Sequence, residues 1–195
     1  LWKASGADEP LAAMRRAQGP SVFGYRFDWD EEPKLLFIEV SKLLGAAHGF
    51  EIPFVFGHWD LGSQTKLFFD ERNAPGRTEL SRRMMSYWAA FAASGDPDGG
   101  RSGELPRWEP FSPSDPRFLV LDTEAGGGVR MEQGLLTMEA VIAGVDRDPE
   151  LETQEAKCEI YRRLVEWGGE PGREDYARLG SEGCVEYPLP ENGSD

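Results

Sequence analysis

The stretch SVFGYRFDW, residues 21–29, alternates strictly, setting Phe23, Tyr25, Phe27 and Trp29 on one side and Gly24, Arg26 and Asp28 on the other. A period of two belongs to a strand, whose successive side chains point to opposite faces. Four aromatic rings on one face need a broad apolar surface to cover them, such as a sheet backed by helices. The run DWDEEP then stops the strand.

A second pattern supplies such a backing. Between residues 78 and 94, Leu80, Met84, Trp88 and Phe91 recur at spacings of three and four, which predicts a helix with Thr78 as its N-cap, Glu79 in the first turn and Gly95 just past its end. Methionines and aromatics at helical spacing read as core. RFLVLD (117–122) and GVRMEQ (128–133) are short strand-like runs joined by TEAGGG, whose glycines permit a loose hairpin. Asp148 and Pro149 are expected to open a last helix with Leu151, Cys158, Tyr161 and Val165 as its apolar stripe, a Glu159–Arg163 pair outside and Gly168-Gly169 at its end. Beyond Gly169 the chain is polar and rich in glycine and proline, and its last six or so residues are expected to fray.

No repeat and no long linker interrupts this order. Residues 1–168 are therefore expected to form the folded part and 169–195 a polar tail. The fold class is α/β, but there are too few strands for a complete doubly wound sheet. The sheet is expected to be incomplete, with helices packed on it.

Charge narrows the partners. Thirty-five acidic side chains against twenty-one basic ones leave the 195-residue chain at −14, which repels phosphate backbones and anionic headgroups, so no nucleic-acid partner is expected. The pairs Arg15-Arg16, Arg82-Arg83 and Arg162-Arg163 lie among acids or on helices and make no basic stripe. Apolar runs are broken by Glu39, Glu51 or Pro53, so no membrane span is expected. Cys158 and Cys184 match neither a CxxC pair nor a metal cluster, leaving free thiols, a disulfide or an outside partner open, and the compartment unknown.

GAAHGFEIPFVFG (45–57) sets His48 between small residues and an apolar run that would anchor the loop in a core. On this evidence the ring fits either a catalytic loop or a buried histidine satisfied by a backbone carbonyl.

Taken together, VFGYRFDW, GAAHGFEIPFVFG, LSRRMMSYWAAFAASGDP, LPRWEPF and FLVLD, in that order, resemble the C-terminal part of the type B carboxylesterase or cholinesterase-like family, from about Leu1 to at least Tyr161. The resemblance implies an α/β-hydrolase fold and hydrolysis of small-molecule carboxylic esters by a serine nucleophile, an acid and a histidine. By its HG-x-E-I context that histidine is His48. An imidazole can take the serine proton during attack and return it to the leaving alcohol. No cofactor is implied.

The family's chain order is serine, acid, histidine. No G-x-S-x-G exists in the 195 residues, and Ser21 in GPSVF lacks the second glycine. The chain also opens at Leu1 without an initiator methionine, so it is expected to be a C-terminal fragment whose partner is the missing N-terminal portion of the same protein, and to be inactive alone. Glu39 precedes His48 but is read as a surface residue. Glu51, three residues after His48, must find donors in its apolar run, either to hold the loop or as a purely structural hydrogen bond. Phe50 either lines the substrate pocket or packs in the core. His58, in GHWDLG, with Asp60 and His48 lacks the compact spacing of a zinc site, so no metal is expected and His58 is a loop residue. The competing reading is a non-catalytic cholinesterase-like binding or adhesion module.

Overall fold

The computed structural model describes residues 3–35, 37–166 and 171–190, and divides the chain into two compact units. One comprises residues 14–134, the other residues 1–13 with 135–195. In chain order the helices are α1 (Glu9–Gln18), α2 (Val40–Leu43), α3 (Glu51–Phe56), α4 (Thr65–Phe68), α5 (Ala74–Ser94), α6 (Met138–Arg147) and α7 (Gln154–Glu166), and the strands are β1 (Tyr25–Phe27), β2 (Lys34–Leu35), β3 (Ile38–Glu39), β4 (Arg117–Leu121) and β5 (Arg130–Gln133).

The unit of residues 14–134 is built on a three-stranded sheet of order β1-β4-β5. β4 runs parallel to β1, with Tyr25 opposite Leu119 and Phe27 opposite Leu121, and antiparallel to β5. A parallel pair needs a long crossover, and residues 28–116 supply it with α2 to α5. β4 is central, and its Phe118, Leu119, Val120 and Leu121 are all buried, as an unbroken apolar strand should be. The expected α/β class and incomplete sheet are both present.

The aromatic face of residues 21–29 packs as the alternation predicts. Phe23 meets Phe91 and Trp108, Tyr25 meets Trp88 and Trp108, and Phe27 and Trp29 both meet Phe54. Regular strand geometry is shorter than the pattern, covering Tyr25–Phe27. The flanks still pair, since Leu119 N–H donates to Gly24 C=O and Asp28 N–H to Leu121 C=O.

α5 corrects one boundary and one stripe. It opens at Ala74, with Asn73 at the N-cap position and Pro75 in its first turn, rather than at Thr78. Asn73 is buried and tied down: its amide donates to Glu31 C=O and Phe68 C=O, both at 2.9 Å. The buried residues are Leu80, Ser81, Met84 and Tyr87, whereas Phe91 is exposed and Trp88 half-buried. Tyr87 wins the inner position because its ring packs edge-on to Trp108 while its hydroxyl donates to Pro106 C=O at 2.5 Å. Gly95 ends the helix at φ +75°, as expected.

The second unit holds two departures. Residues 138–147 form α6, where no helix was expected, with Thr137 capping it through a bond from Ala140 N–H. Asp148 therefore ends α6 rather than opening a helix, and α7 begins at Gln154, with the Thr153 hydroxyl accepting from Ala156 N–H. Cys158, Tyr161, Leu164 and Val165 form its buried stripe, and Glu159 pairs with Arg163 at 3.2 Å. Gly168-Gly169 and the terminal residues expected to fray lie outside the described residues. Cys158 and Cys184 are joined in a disulfide, and Tyr176 and Leu179 are buried beside them. Among the described residues, no helix is long and apolar enough to cross a membrane.

Candidate active site

His48 stands on a turn between α2 and α3. Phe50 N–H donates to Ala47 C=O at 3.2 Å, and Gly49 adopts φ +87°, the left-handed geometry that the third position of a type II turn demands. A Cβ on Gly49 would meet nothing within 4 Å, so its backbone angle and not crowding calls for glycine. The imidazole is exposed, so the buried-histidine reading does not hold. The loop does not leave a strand directly. β3 ends at Glu39 and the four-residue α2 intervenes.

The apolar run after His48 anchors the turn. It folds into α3, whose Phe54 is fully buried among Phe27, Trp29 and Trp59 at ring distances of 5.0–5.1 Å. Ser81 Oγ on α5 donates to Phe54 C=O at 2.6 Å, fixing α3 to the long helix. Gly57 closes α3 at φ +61°, and His58, exposed just beyond it, donates its N–H to Pro53 C=O. Sequence reading missed Ser81. Its signal was a serine on the buried face of an otherwise apolar helix, a position where a hydroxyl needs a partner.

Glu51 occupies the first turn of α3 and is half-buried. Its charge acts on Tyr25, whose phenol is pushed up first by burial and then by this carboxylate. Phe50 packs its ring on Phe68 at 4.8 Å. Glu39 pairs with Lys34 at 3.7 Å and also with Lys42, as a partly exposed residue would. Among the described residues, no group of three or more His, Cys, Asp or Glu side chains is placed to hold a metal ion.

Several large apolar residues on either side of His48 in the sequence are bare. Phe37 is 97%, Leu43 73% and Phe56 74% exposed, with Ile38, Leu44 and Ile52 also exposed. An exposed apolar stretch of this extent marks a surface that contacts something else.

Residues 6–142 match a family model described as the carboxylesterase family. The chain is 40% identical over 126 residues to the acetylcholinesterase of Gallus gallus, covering 62% of this chain and 14% of that protein. It is 35% identical over 126 residues to carboxylesterase 5A of Canis lupus familiaris, covering 63% and 20% respectively. Among solved structures it is similar to a PNB esterase at 25% identity and TM-score 0.45, over 63% of this chain and 21% of that one. The chain thus spans between 14% and 20% of the length of these two curated relatives.

Proposed function

Because the chain belongs to the carboxylesterase family, we propose that residues 1–168 supply the C-terminal part of a serine carboxylic ester hydrolase, with His48 as its general base and acid. The observation that carries this reading is the presentation of His48: an exposed imidazole on a glycine-closed turn, held by Phe54 in the core. Rigid support for a solvent-facing base is what proton transfer to and from a substrate requires.

In this reading the imidazole accepts the proton of the attacking serine and delivers it to the departing alkoxide, and the upstream acid orients the ring. Serine and acid belong to the portion of the protein that precedes this chain, in keeping with the order serine, acid, histidine. The bare apolar residues 37–56 support a covering segment of that kind. Glu51 steadies the turn from the start of α3, and Phe50 holds it through Phe68.

The test is to assay the chain alone and joined to its upstream portion with p-nitrophenyl butyrate. The chain alone should hydrolyse the ester no faster than free imidazole, and the joined protein should be an active esterase that loses activity on His48→Ala. A joined protein with no ester hydrolysis would favour a binding or adhesion module instead, and one indifferent to His48→Ala would remove the assignment.

A further inference from the structure

Among the described residues of the unit 14–134, Glu32 has two buried polar atoms without a partner. Its side chain is 6% exposed, yet neither carboxylate oxygen has a hydrogen-bond partner among the described residues. A buried ionisable group in that state is costly, and natural structures rarely leave one without a purpose. Glu32 lines a cavity of about 680 Å³ between residues 31–34, the start of α5 and residues 122–125.

The walls are fixed and acidic. Asn73 holds Glu31 C=O, and the Thr123 hydroxyl donates to the Glu31 carboxylate, so both sides of the opening are tied together. Gly76, in the first turn of α5, leaves room for this link: a Cβ there would meet Glu31 Oε2 at 3.0 Å and the Thr123 methyl at 3.1 Å. The cations on the wall are all engaged, Lys34 with Glu39, Arg72 with Asp70, and Arg83 with both Glu79 and Glu124. The remaining carboxylates, Glu31, Glu32 and Asp122, form no ion pair among the described residues. Among the described residues, an anion would find no free cation here, and no group of three or more acidic side chains is placed to hold a metal ion.

We propose that this cavity binds a compact organic cation carrying N–H donors, a primary ammonium or a guanidinium, with the Glu32 carboxylate as its counter-ion. N–H groups are required because, among the described residues, no other residue donates to the Glu32 carboxylate or balances its charge. A quaternary ammonium would supply only the charge. The site goes beyond ester hydrolysis, and none of His48, Phe50 and Glu51 lines it.

Two features make the binding pH-dependent. Glu32 is pushed up to about 7 by burial first, with its own backbone N–H pulling the other way and the charge of Asp30 adding to the rise, and burial also raises Asp122. The flanking Glu79 and Asp70 are held low by their arginines and stay ionised. A ligand that requires ionised Glu32 must therefore bind better above neutrality than below it.

The experiment is calorimetric titration of the 195-residue chain with n-butylammonium and with ethylguanidinium, using tetramethylammonium as the donor-free control. Both N–H cations should bind, tetramethylammonium should bind roughly tenfold more weakly or worse, and Glu32→Gln should weaken the N–H cations by a similar factor or more. In the parent protein the affinity should fall as the pH is lowered from about 8 to about 5. Equal binding of tetramethylammonium, affinity unchanged by Glu32→Gln, affinity independent of pH, or no binding at roughly ten-millimolar ligand would each overturn the proposal.

Discussion

Residues 117–121 and residues 37–56 are both rich in large apolar side chains, and they end in opposite environments. On β4, Phe118 to Leu121 are buried to the last atom or nearly so: β1 and β5 flank the strand, and an aromatic layer covers the face that carries Leu119 and Leu121. In the other region only Pro53 and Phe54 of α3 and Val40 of α2 are buried, while Phe37, Leu43 and Phe56 stand in solvent. Apolar area is driven from water without regard to direction, so its fate depends on whether partners are at hand. Leu119 and Leu121 have their partners within their own unit. The region around His48 has them on one side only, so the inner face of α3 holds the turn in place while its outer face remains available.

The contrast predicts that the two regions fail differently. The largest effect is functional: in the protein joined to its upstream portion, His48→Ala should lower kcat roughly a thousandfold or more while leaving the denaturation midpoint unchanged. A midpoint that drops with activity would mean that His48 belongs to the framework and would erase the distinction. Phe54→Ala attacks the inner face, and urea titration should show a loss of about 3–5 kcal/mol, as for other buried phenylalanines. A loss below about 1 kcal/mol would mean that the turn is anchored elsewhere.

The third prediction follows from Glu32. Its folded value of about 7 lies above its ordinary 4.5, so between those values the folded chain keeps a proton that the unfolded chain has released. The stability from this group is complete below the lower value and is lost as pH rises through the upper one. The full shift sets an upper bound of roughly 3 kcal/mol on the loss, and solvent screening lowers it. Denaturation of the parent and of Glu32→Gln across this range should differ in slope, with the variant the more stable at alkaline pH. Parallel curves would mean that Glu32 is solvated.

Smaller effects sharpen the picture further. Glu51→Gln in the joined protein should cost about tenfold to a hundredfold in kcat/KM for ester hydrolysis, the size expected of a residue that orients another, with its pH profile preserved. Phe56→Ser, on the bare outer face of α3, should change the stability of the 195-residue chain by no more than about 0.5 kcal/mol. If Phe56→Ser proved as damaging as Phe54→Ala, the two faces of α3 would be equivalent and the comparison would collapse.

Much of this was legible along the chain. The alternation of residues 21–29 gave the aromatic face, RFLVLD a strand, and Gly95 the end of α5, because each signal lies within a few residues of the structure it specifies. α6 was equally legible in Thr137, Met138, Val141, Ile142 and Val145, a cap followed by helical spacing that went unread. The start of α5 was not: Asn73 holds that position through bonds to Glu31 and Phe68, and its tie to Glu31 crosses 42 residues. The HG-x-E-I motif singled out His48, and Gly49 accounts locally for the turn beneath it.

By itself, then, the sequence determined the two-sided strand, the helical stripes and the glycine-closed turn, since backbone angles and side-chain periodicity are set by near neighbours. Only the tertiary structure decided that Tyr87 rather than Trp88 faces inward, that Cys158 reaches Cys184, that Phe56 is bare where Phe54 is buried, and that the DEEP run meant only to end a strand buries Glu32 without a partner. Burial and ionisation are properties of what surrounds a group, and those surroundings come from residues far away in the chain.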